Sequence, residues 1–441
     1  MGLFDGLRNW ITQPLLDALQ DQRVTGIKKA RAYYTGEQKR QIVSKGSYDD
    51  NTVTNFCGLV IDRSISDMVG GGIEWEGYDD PALEYLKRVW DANKQEILLH
   101  RACLSAAQAG TGYTKIIPDG VADVSGLLPR LMVIDPEWMT IQTAPEDSEY
   151  IRSYTMRYAY VDDTGKERVR KEVTRREGSN WMVEYWLDHP GTSKFDLEAE
   201  MIWPYPFPPV IHWQNLPTMT VYGEPDITQD VIELQDKYNF ISSNVGKIIR
   251  IHAHPYTVFK GLAKNNLDIR ADNAIFLPME TQDVKNLEMQ SDLASSMAYL
   301  REIRQALFDI SRTVDLDSIQ DKVGALTNFG LRVLYKDALA KINTKRELFG
   351  DALVELNRRL LVMAGIADTS GTVIFRDMLP ENVVEEVAAL QQDLAAGLVS
   401  KETAAQRRGY DWEKESEKLA GEQSQADNVG ALLLRQFSRG Q

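Results

Sequence analysis

Cysteine is nearly missing from this 441-residue chain, with Cys57 and Cys103 the only two. Both lie in apolar, helix-spaced surroundings, so buried free thiols are expected and a disulfide framework is excluded. A reducing or redox-indifferent compartment follows. No run of eighteen apolar residues occurs, so no membrane span and a soluble chain are expected. The first residues, "MGLFDGLRNW", contain Asp5 and no continuous apolar stretch, which argues against a secretion signal. Gly2 would suit a myristoylation signal, but position 6 is Gly rather than Ser or Thr. Proline is absent between Pro278 and Pro380, although four prolines crowd "WPYPFPPV" at 203–210. A proline inside a helix costs ~3 kcal/mol, so that gap predicts a region built from helices.

A basic excess is lacking too. Lys and Arg total 50 against 65 Asp and Glu, a formal net charge of −15. Such a balance favours solubility and excludes a protein that grips nucleic acid through broad basic surfaces. With 43% hydrophobic and 26% charged residues the chain is globular rather than disordered. At roughly 100–200 residues per domain, two to four domains are expected.

The usual chemical constellations are also missing. There is no G-x-x-x-x-G-K-[ST] phosphate loop; "GGG" at 70–72 and "GTG" at 110–112 read as turns. Of five histidines only His252 and His254 are close, and on a strand they would share a face, but no third ligand or cysteine accompanies them. Asp315 and Asp317 form a D-x-D in an inter-helix loop, a pair that in some enzymes binds a metal. A metal-dependent phosphate or nucleotide enzyme using Asp315 and Asp317 is therefore one reading, and an acidic capsid adaptor without a channel is another. No G-x-S-x-G elbow or Cys–His pairing suggests acyl transfer. No catalytic residue, metal or cofactor is expected. Trp181, Trp186, Trp203 and Trp213 read as core or interface anchors. The run "KERVRKEVTRR" at 166–176 alternates and is interrupted by Glu167 and Glu172, as in a solvated hairpin ribbon.

The pattern of elements is α+β and mostly helical. Helical spacing covers 51–69, 81–91 and 94–109, with glycine stops at 70–72 and 110. Period-two runs then fill 113 to about 215, with "DDTGK" as a hairpin turn, which predicts antiparallel strands. "YGEPDITQDVIELQDKYNFISSNVGKIIR" opens a helix with Pro225 in its first turn and Asp226 among the acids that suit its dipole. At His252 it yields to "PYTVFK", "NAIFLP" and "DVKNLEM", read as short strands. A helix follows from about Leu293 to Arg312, and after a polar stretch a long helical pattern runs to about Met363, with Gly330 and Gly350 as points of bending. "TVIFRD" reads as a strand. Two helices at the end begin from Ser400 and Asp411 as N-caps.

Taken in order, these segments resemble the portal proteins of tailed bacteriophages, of the siphophage type. The likeness lies in "RAYYTG" followed by "NTVTNFCGLVIDRSISDMVGGGIEWEG", in "YGEPDITQDVIELQDKYNFISSNV", in "LREIRQALFDISRTVD" followed by "VGALTNFGLRVLYKDALAKINTKRELF", and in "GLVSKETAAQRRGYDWEKESEKLAGE". It implies an N-terminal arm at 1–26, a wing at 27–224, stem helices at 225–250 and 291–314 and a small α/β clip at 251–290. A tunnel loop would occupy 315–323, a long wing helix and its connection 324–371, a helical crown 372–422 and a tail 423–441. The resemblance further implies a non-enzymatic subunit of a ring, a dodecamer, at one capsid vertex of the virion, assembled in the host cytoplasm. Double-stranded DNA would pass through it in packaging and ejection, bound without sequence preference. Terminase large subunit and then head-completion or adaptor proteins would dock on it, and major capsid and scaffolding proteins would surround it. Asp315, Asp317, Ser318, Gln320, Lys322, Val323 and Gly324 would line the channel as the tunnel loop. Lys247 and Arg250 would face DNA from the stem, and Lys260, Lys264 and Asn265 would meet partners at the clip.

Overall fold

A computed structural model describes residues 20–40, 42, 49–123, 126–189, 194–253, 257–260, 274–277, 283–286, 293–315, 328–367, 371–377, 383–410, 412 and 414–421. Helix outweighs strand, 49% against 25%, as the proline gap predicts. The chain divides into two compact units, one of Met1–Ala325 with Val333–Met378 and one of Leu326–Arg332 with Leu379–Gln441. Among the described residues no helix is long and apolar enough to cross a membrane.

The first unit opens with helix α1 (20–34), α2 (Phe56–Val69), strand β1 (Ile73–Glu76), α3 (Asp80–Ala92) and α4 (Gln95–Ala109). The caps follow from side-chain chemistry. Asn55 accepts from Gly58 N–H at 3.0 Å, and Asp79 accepts from Ala82 N–H at 2.9 Å with Pro81 just inside. α4 stops at Gly110, whose φ of 81° suits glycine; a Cβ there would lie 2.1 Å from the Gly223 carbonyl oxygen.

Strands β2 (Thr111–Asp123), β3 (Gly126–Val133), β4 (Met139–Thr143), β5 (Ile151–Val161), β6 (Glu167–Glu177), β7 (Asn180–Asp188), β8 (Phe195–Trp203) and β9 (Val210–Gln214) follow. They form two antiparallel sheets, ordered β3-β2-β9 and β4-β5-β6-β7-β8. The smaller sheet has two buried faces. Ile116, Ile211 and Trp213 join the helical core, while Tyr113 and Val210 join a second core with Tyr154, Met156, Trp181, Val183 and Trp203 of the larger sheet. Alternation along one strand thus serves two cores. The run 166–176 is not a free ribbon: β6 is the central strand, with Glu172 and Thr174 buried. Its charges are paired across the strands, Arg168 with Asp188 at 2.9 Å, Arg170 with Glu198 at 2.7 Å and Arg175 with Glu184 at 2.6 Å, while Glu172 meets Lys115 of β2 at 2.5 Å.

The two edges of the larger sheet differ. At β4, the Met139 carbonyl accepts from Arg23 and Gln20 of α1, and Ile141 N–H donates to the Tyr222 hydroxyl at 2.9 Å. β8 carries Asp196, Glu198 and Glu200 and a register shift opposite Tyr185/Trp186. β8 alternates Phe195, Leu197, Ala199 and Met201 with Asp196, Glu198 and Glu200, in keeping with the period-two reading of 113–215, although most of both faces is exposed.

α5 (Gln229–Ala253), strands β10 (Thr257–Lys260), β11 (Ala274–Leu277) and β12 (Asp283–Asn286), and α6 (Ala294–Ser311) form the central excursion. β10 pairs parallel with β11 and antiparallel with β12. The three short strands match the three expected runs. His252 lies in α5 rather than on a strand, and His254 lies outside the described residues. Pro225 is not in the first turn either, because Asp226 is drawn into the body before the helix begins at Gln229.

After α7 (Asn328–Leu334), α8 (Lys336–Ala364) starts at Tyr335, so the long helical pattern is divided there. Val333 and Leu334 are exposed, whereas α8 buries Ala338, Ile342, Phe349, Leu353, Leu356 and Leu360. Gly350 gives room to β13 (Thr372–Phe375): a Cβ there would come 3.2 Å from Val373 Cγ1 and 3.3 Å from Phe375 Cε2. β13 pairs antiparallel with β1, Ile73 opposite Phe375, so this strand is part of the first unit. Cys57 and Cys103 are buried free thiols, both pushed up to about 12 by burial. In the second unit, α9 (Val383–Ala395) ends at Gly397, where Leu398 N–H donates to the Asp393 carbonyl at 3.0 Å. Ser400 caps α10 (Lys401–Arg407) by accepting from Thr403 N–H at 3.1 Å, and α11 spans 414–421; Asp411 lies outside the described residues.

His212 on β9 is half-buried against Tyr154, whose hydroxyl lies 3.0 Å from Nδ1. Burial, helped by the charge of Arg359, lowers its pKa from 6.5 to about 4. The unfolded chain therefore binds a proton at higher pH than the folded one, and stability falls as pH drops from 6.5 towards 4. The loss is about 3 kcal/mol at pH 4. In denaturant unfolding, His212→Gln is expected to remove that part of the pH slope. An unchanged slope would overturn the assignment.

Candidate functional site

The excursion from α5 to α6 leaves and re-enters the body at one buried cluster of charge. Asp226, three residues ahead of α5, has a side chain with no exposure to solvent. Its carboxylate lies 3.0 Å from Lys341 Nζ and 2.7 Å from Lys345 Nζ, both on α8. Asn215 Nδ2 donates to it at 3.3 Å, and its own backbone N–H donates to the Ala107 carbonyl at 2.8 Å. Lys345 also donates to Ser64 Oγ of α2 at 2.6 Å, and Lys341 to the Ser311 carbonyl at 2.9 Å. Ser311 is the last residue of α6. Lys341 therefore ties the start of α5 to the end of α6, and Lys345 ties the start of α5 to α2.

Burial alone would raise the pKa of Asp226, but the two lysines outweigh it and hold the carboxyl well below the usual range. Burial lowers the Lys341 pKa, against the opposing pull of Asp226. The cluster carries one positive charge in excess.

Beyond α6 the chain is held by arginines. Arg312 takes φ 51°, and Thr313 N–H donates back to the Phe308 carbonyl at 3.0 Å. Arg63 Nη1 donates to the Val314 carbonyl at 2.6 Å, and Arg304 Nη2 pairs with Asp315 Oδ1 at 2.7 Å. Both guanidinium groups also lie over the Phe308 ring, at 5.6 and 5.7 Å from its centroid. Residues 313–315 are thus anchored from α2 and α6 up to the last position before 316.

Of the residues expected to line a channel loop, Asp315 is this anchored position, whereas Asp317, Ser318, Gln320, Lys322, Val323 and Gly324 lie outside the described residues. Arg250, at the far end of α5, holds Asp50 with two hydrogen bonds of 2.7 and 2.8 Å. That contact, with Lys247 nearby, lowers the Asp50 pKa. Lys247 is half-buried on the same helix. Lys260 ends β10, and Lys264 and Asn265 lie outside the described residues. Among the described residues no group of three or more His, Cys, Asp or Glu side chains is placed to hold a metal.

Asp226, Lys341 and Lys345 escaped the sequence reading, which gave Asp226 to the helix dipole. One signal was present. Lys345 interrupts the apolar series Ala338, Ile342, Phe349, Leu353, Leu356, where a lysine has no reason to stand unless it meets an acid.

Three solved structures are similar to this chain at low identity. A virion of a native gene transfer agent particle is 16% identical, with a TM-score of 0.47, covering 88% of this chain and 99% of that one. The neck of a native gene transfer agent particle with C12 symmetry is 15% identical, at 0.42, covering 80% and 89%. The neck of an empty particle with C6 symmetry is 16% identical, at 0.44, covering 81% and 90%. No curated protein matches the sequence. A family model described as phage portal protein, SPP1 Gp6-like, spans residues 15–429, and the chain belongs to that family.

Proposed function

We propose that this portal-family chain is one subunit of a closed, dodecameric ring at a single capsid vertex, through which double-stranded DNA passes in packaging and ejection. The wing is 27–224 together with α8, the stem is 225–250 and 291–314, built on α5 and α6, and the clip is 251–290. The tunnel loop is 315–323, beginning at the anchored Asp315, and the crown is 372–422, of which β13 pairs with β1 of the first unit. Terminase and then head-completion proteins dock at the clip, with Lys260, Lys264 and Asn265 as contact candidates, while major capsid and scaffolding proteins surround the ring.

The observation that carries this reading is the excursion itself. A helix, a three-stranded tip and a returning helix are rooted on one buried cluster, and the returning chain is fixed by Arg63 and Arg304 directly ahead of 316–324. That geometry suits a segment presented from a rigid base. The charge balance fits as well. Each phosphate neutralised by a cation adds salt-dependent affinity, and six to ten such contacts are worth roughly 10³–10⁵ across moderate salt changes. A chain with net charge −15, whose Arg250 is engaged by Asp50, confines DNA without gripping it; Lys247 remains the stem candidate for transient contact. The metal-enzyme alternative loses support because the Asp315 carboxylate is held by Arg304.

Electron microscopy of the purified protein is expected to show closed rings with a central hole, and a persistent monomer under assembly conditions would overturn the reading. Val323→Glu is expected to leave ring assembly intact and reduce DNA packaging. Loss of assembly, with normal packaging by whatever rings remain, would refute the loop placement. Asp226→Asn leaves two buried ammonium groups facing no carboxylate and is expected to cost about 3–5 kcal/mol. Lys345→Met leaves a neutral Asp226–Lys341 pair and is expected to cost less in the same unfolding measurement; the reverse order would remove the cluster from its place at the root of the excursion.

A further inference from the structure

α5 is built from weak helix formers midway along its length. Asn239, Ser242, Ser243, Asn244 and Gly246 all rank below alanine in helix propensity, and Ser and Asn side chains compete for backbone groups. The helix nonetheless runs from Gln229 to Ala253. Along it lies the segment 50–56, which belongs to no sheet.

Alternate backbone N–H groups of that segment are taken in order by α5. Phe56 N–H donates to Gln235 Oε1 at 3.0 Å, Thr54 N–H to Asn239 Oδ1 at 3.0 Å and Thr52 N–H to Ser243 Oγ at 2.8 Å. Gln235 Nε2 donates back to the Thr54 carbonyl at 2.6 Å, and Asn239 Nδ2 to Gln38 Oε1 at 2.6 Å. Asp50 and Arg250 close the series at the outer end. Between Thr52 and Thr54 the spacing works because two residues of extended chain advance about 6.6 Å and four residues of helix about 6.0 Å, and at Asn55 a tight turn, with Phe56 N–H also 3.2 Å from the Thr54 carbonyl, aims Phe56 N–H at Gln235. Every second N–H on one side therefore meets every fourth side chain on the other. Gln235, Asn239 and Ser243 are buried, so water does not compete for these bonds.

We propose that segment 50–56 is a splint that keeps α5 helical through Ser242–Gly246, and that this stretch is the flexing point of the helix when the splint loosens. Space does not require glycine at 246, since a Cβ there would lie 3.9 Å from Thr52 Oγ1, an ordinary contact. Its presence lowers the resistance of the helix to bending. On the stem reading given above, on which only this consequence rests, the splint sets how stiffly the wing holds the stem, and Arg250 serves that contact.

Amide hydrogen exchange on the full-length protein tests the splint. Replacing Asn239 and Ser243 together by alanine raises the helix propensity of α5 while cutting the contacts to Thr52 and Thr54. A self-sufficient helix would then exchange at the same rate or more slowly, which would overturn the proposal. The splint predicts about tenfold faster exchange over 242–250, with α3 and α4 unchanged. If the double variant fails to fold, Asp50→Ala, which leaves every buried partner in place, is expected to speed exchange over 246–253; no change there would overturn the proposal. Gly246→Ala in the Asp50→Ala background is expected to restore protection. Alone, Gly246→Ala is expected to slow exchange and leave rings that package less DNA. Full packaging with slowed exchange would remove the flexing role while leaving the ring assignment standing. Absence of rings from the unaltered protein would instead count against that assignment and not against the splint.

Discussion

Two ammonium groups share one carboxylate where the central excursion meets the body. Asp226 could not be buried as an anion alone, and neither Lys341 nor Lys345 could be buried as a cation without it. Each group needs the others, and they come from segments more than a hundred residues apart in sequence. A packed apolar core would hold the same elements at least as strongly, but it would accept small shifts of one helix against another. Hydrogen bonds from Nζ to a carbonyl at the end of α6, a carboxylate ahead of α5 and a hydroxyl on α2 accept far fewer arrangements. The directions in which α5 and α6 leave the body are set there.

The same logic extends outward from the cluster. Arg63 and Arg304 both lie over Phe308 and hold the chain after α6, so the position of 313–315 is set by cations on two helices. Across the larger sheet Arg168, Arg170 and Arg175 each face a carboxylate, and at the far end of α5 Arg250 does so too. The acidic excess of the sequence is therefore not a uniform coat. Part of it is spent in neutralising cations that would otherwise be available to phosphate.

Much of this fold could be read from residue order. α3 and α4 follow from apolar spacing, an Asp79 cap and a glycine stop; β5 and β7 follow from alternation of apolar and polar residues; the three short strands between α5 and α6 follow from apolar runs bounded by polar ones. Family membership was legible because several segments recur in one order, which no single motif conveys. What escaped was decided at a distance. Pro225 and Asp226 look like the opening of a helix, yet a salt bridge formed 119 residues away by Lys345 pulls Asp226 inward and delays the helix. β8 alternates apolar and acidic residues, yet Leu197 and Met201 stay exposed, which alternation alone does not disclose. Gly350 looked like a bend and is a gap through which β13 passes, information held in Val373 and Phe375. The segment ahead of α2 is short and mostly polar, and only the helix beside it reveals the meaning of Thr52 and Thr54.

The unequal borders of the larger sheet bear on how the protein behaves while it waits for partners. One border is sealed by Arg23, Gln20 and Tyr222, and the other is bent by a bulge and lined with Asp196, Glu198 and Glu200. Unpaired strands of ordinary character template fibrous growth when many identical chains crowd together. Here acids line one border, and the Met139 carbonyl and Ile141 N–H of the other are already engaged, so both borders disfavour pairing with their own kind. Crowded copies of this chain thus meet sheet borders that discourage strand addition.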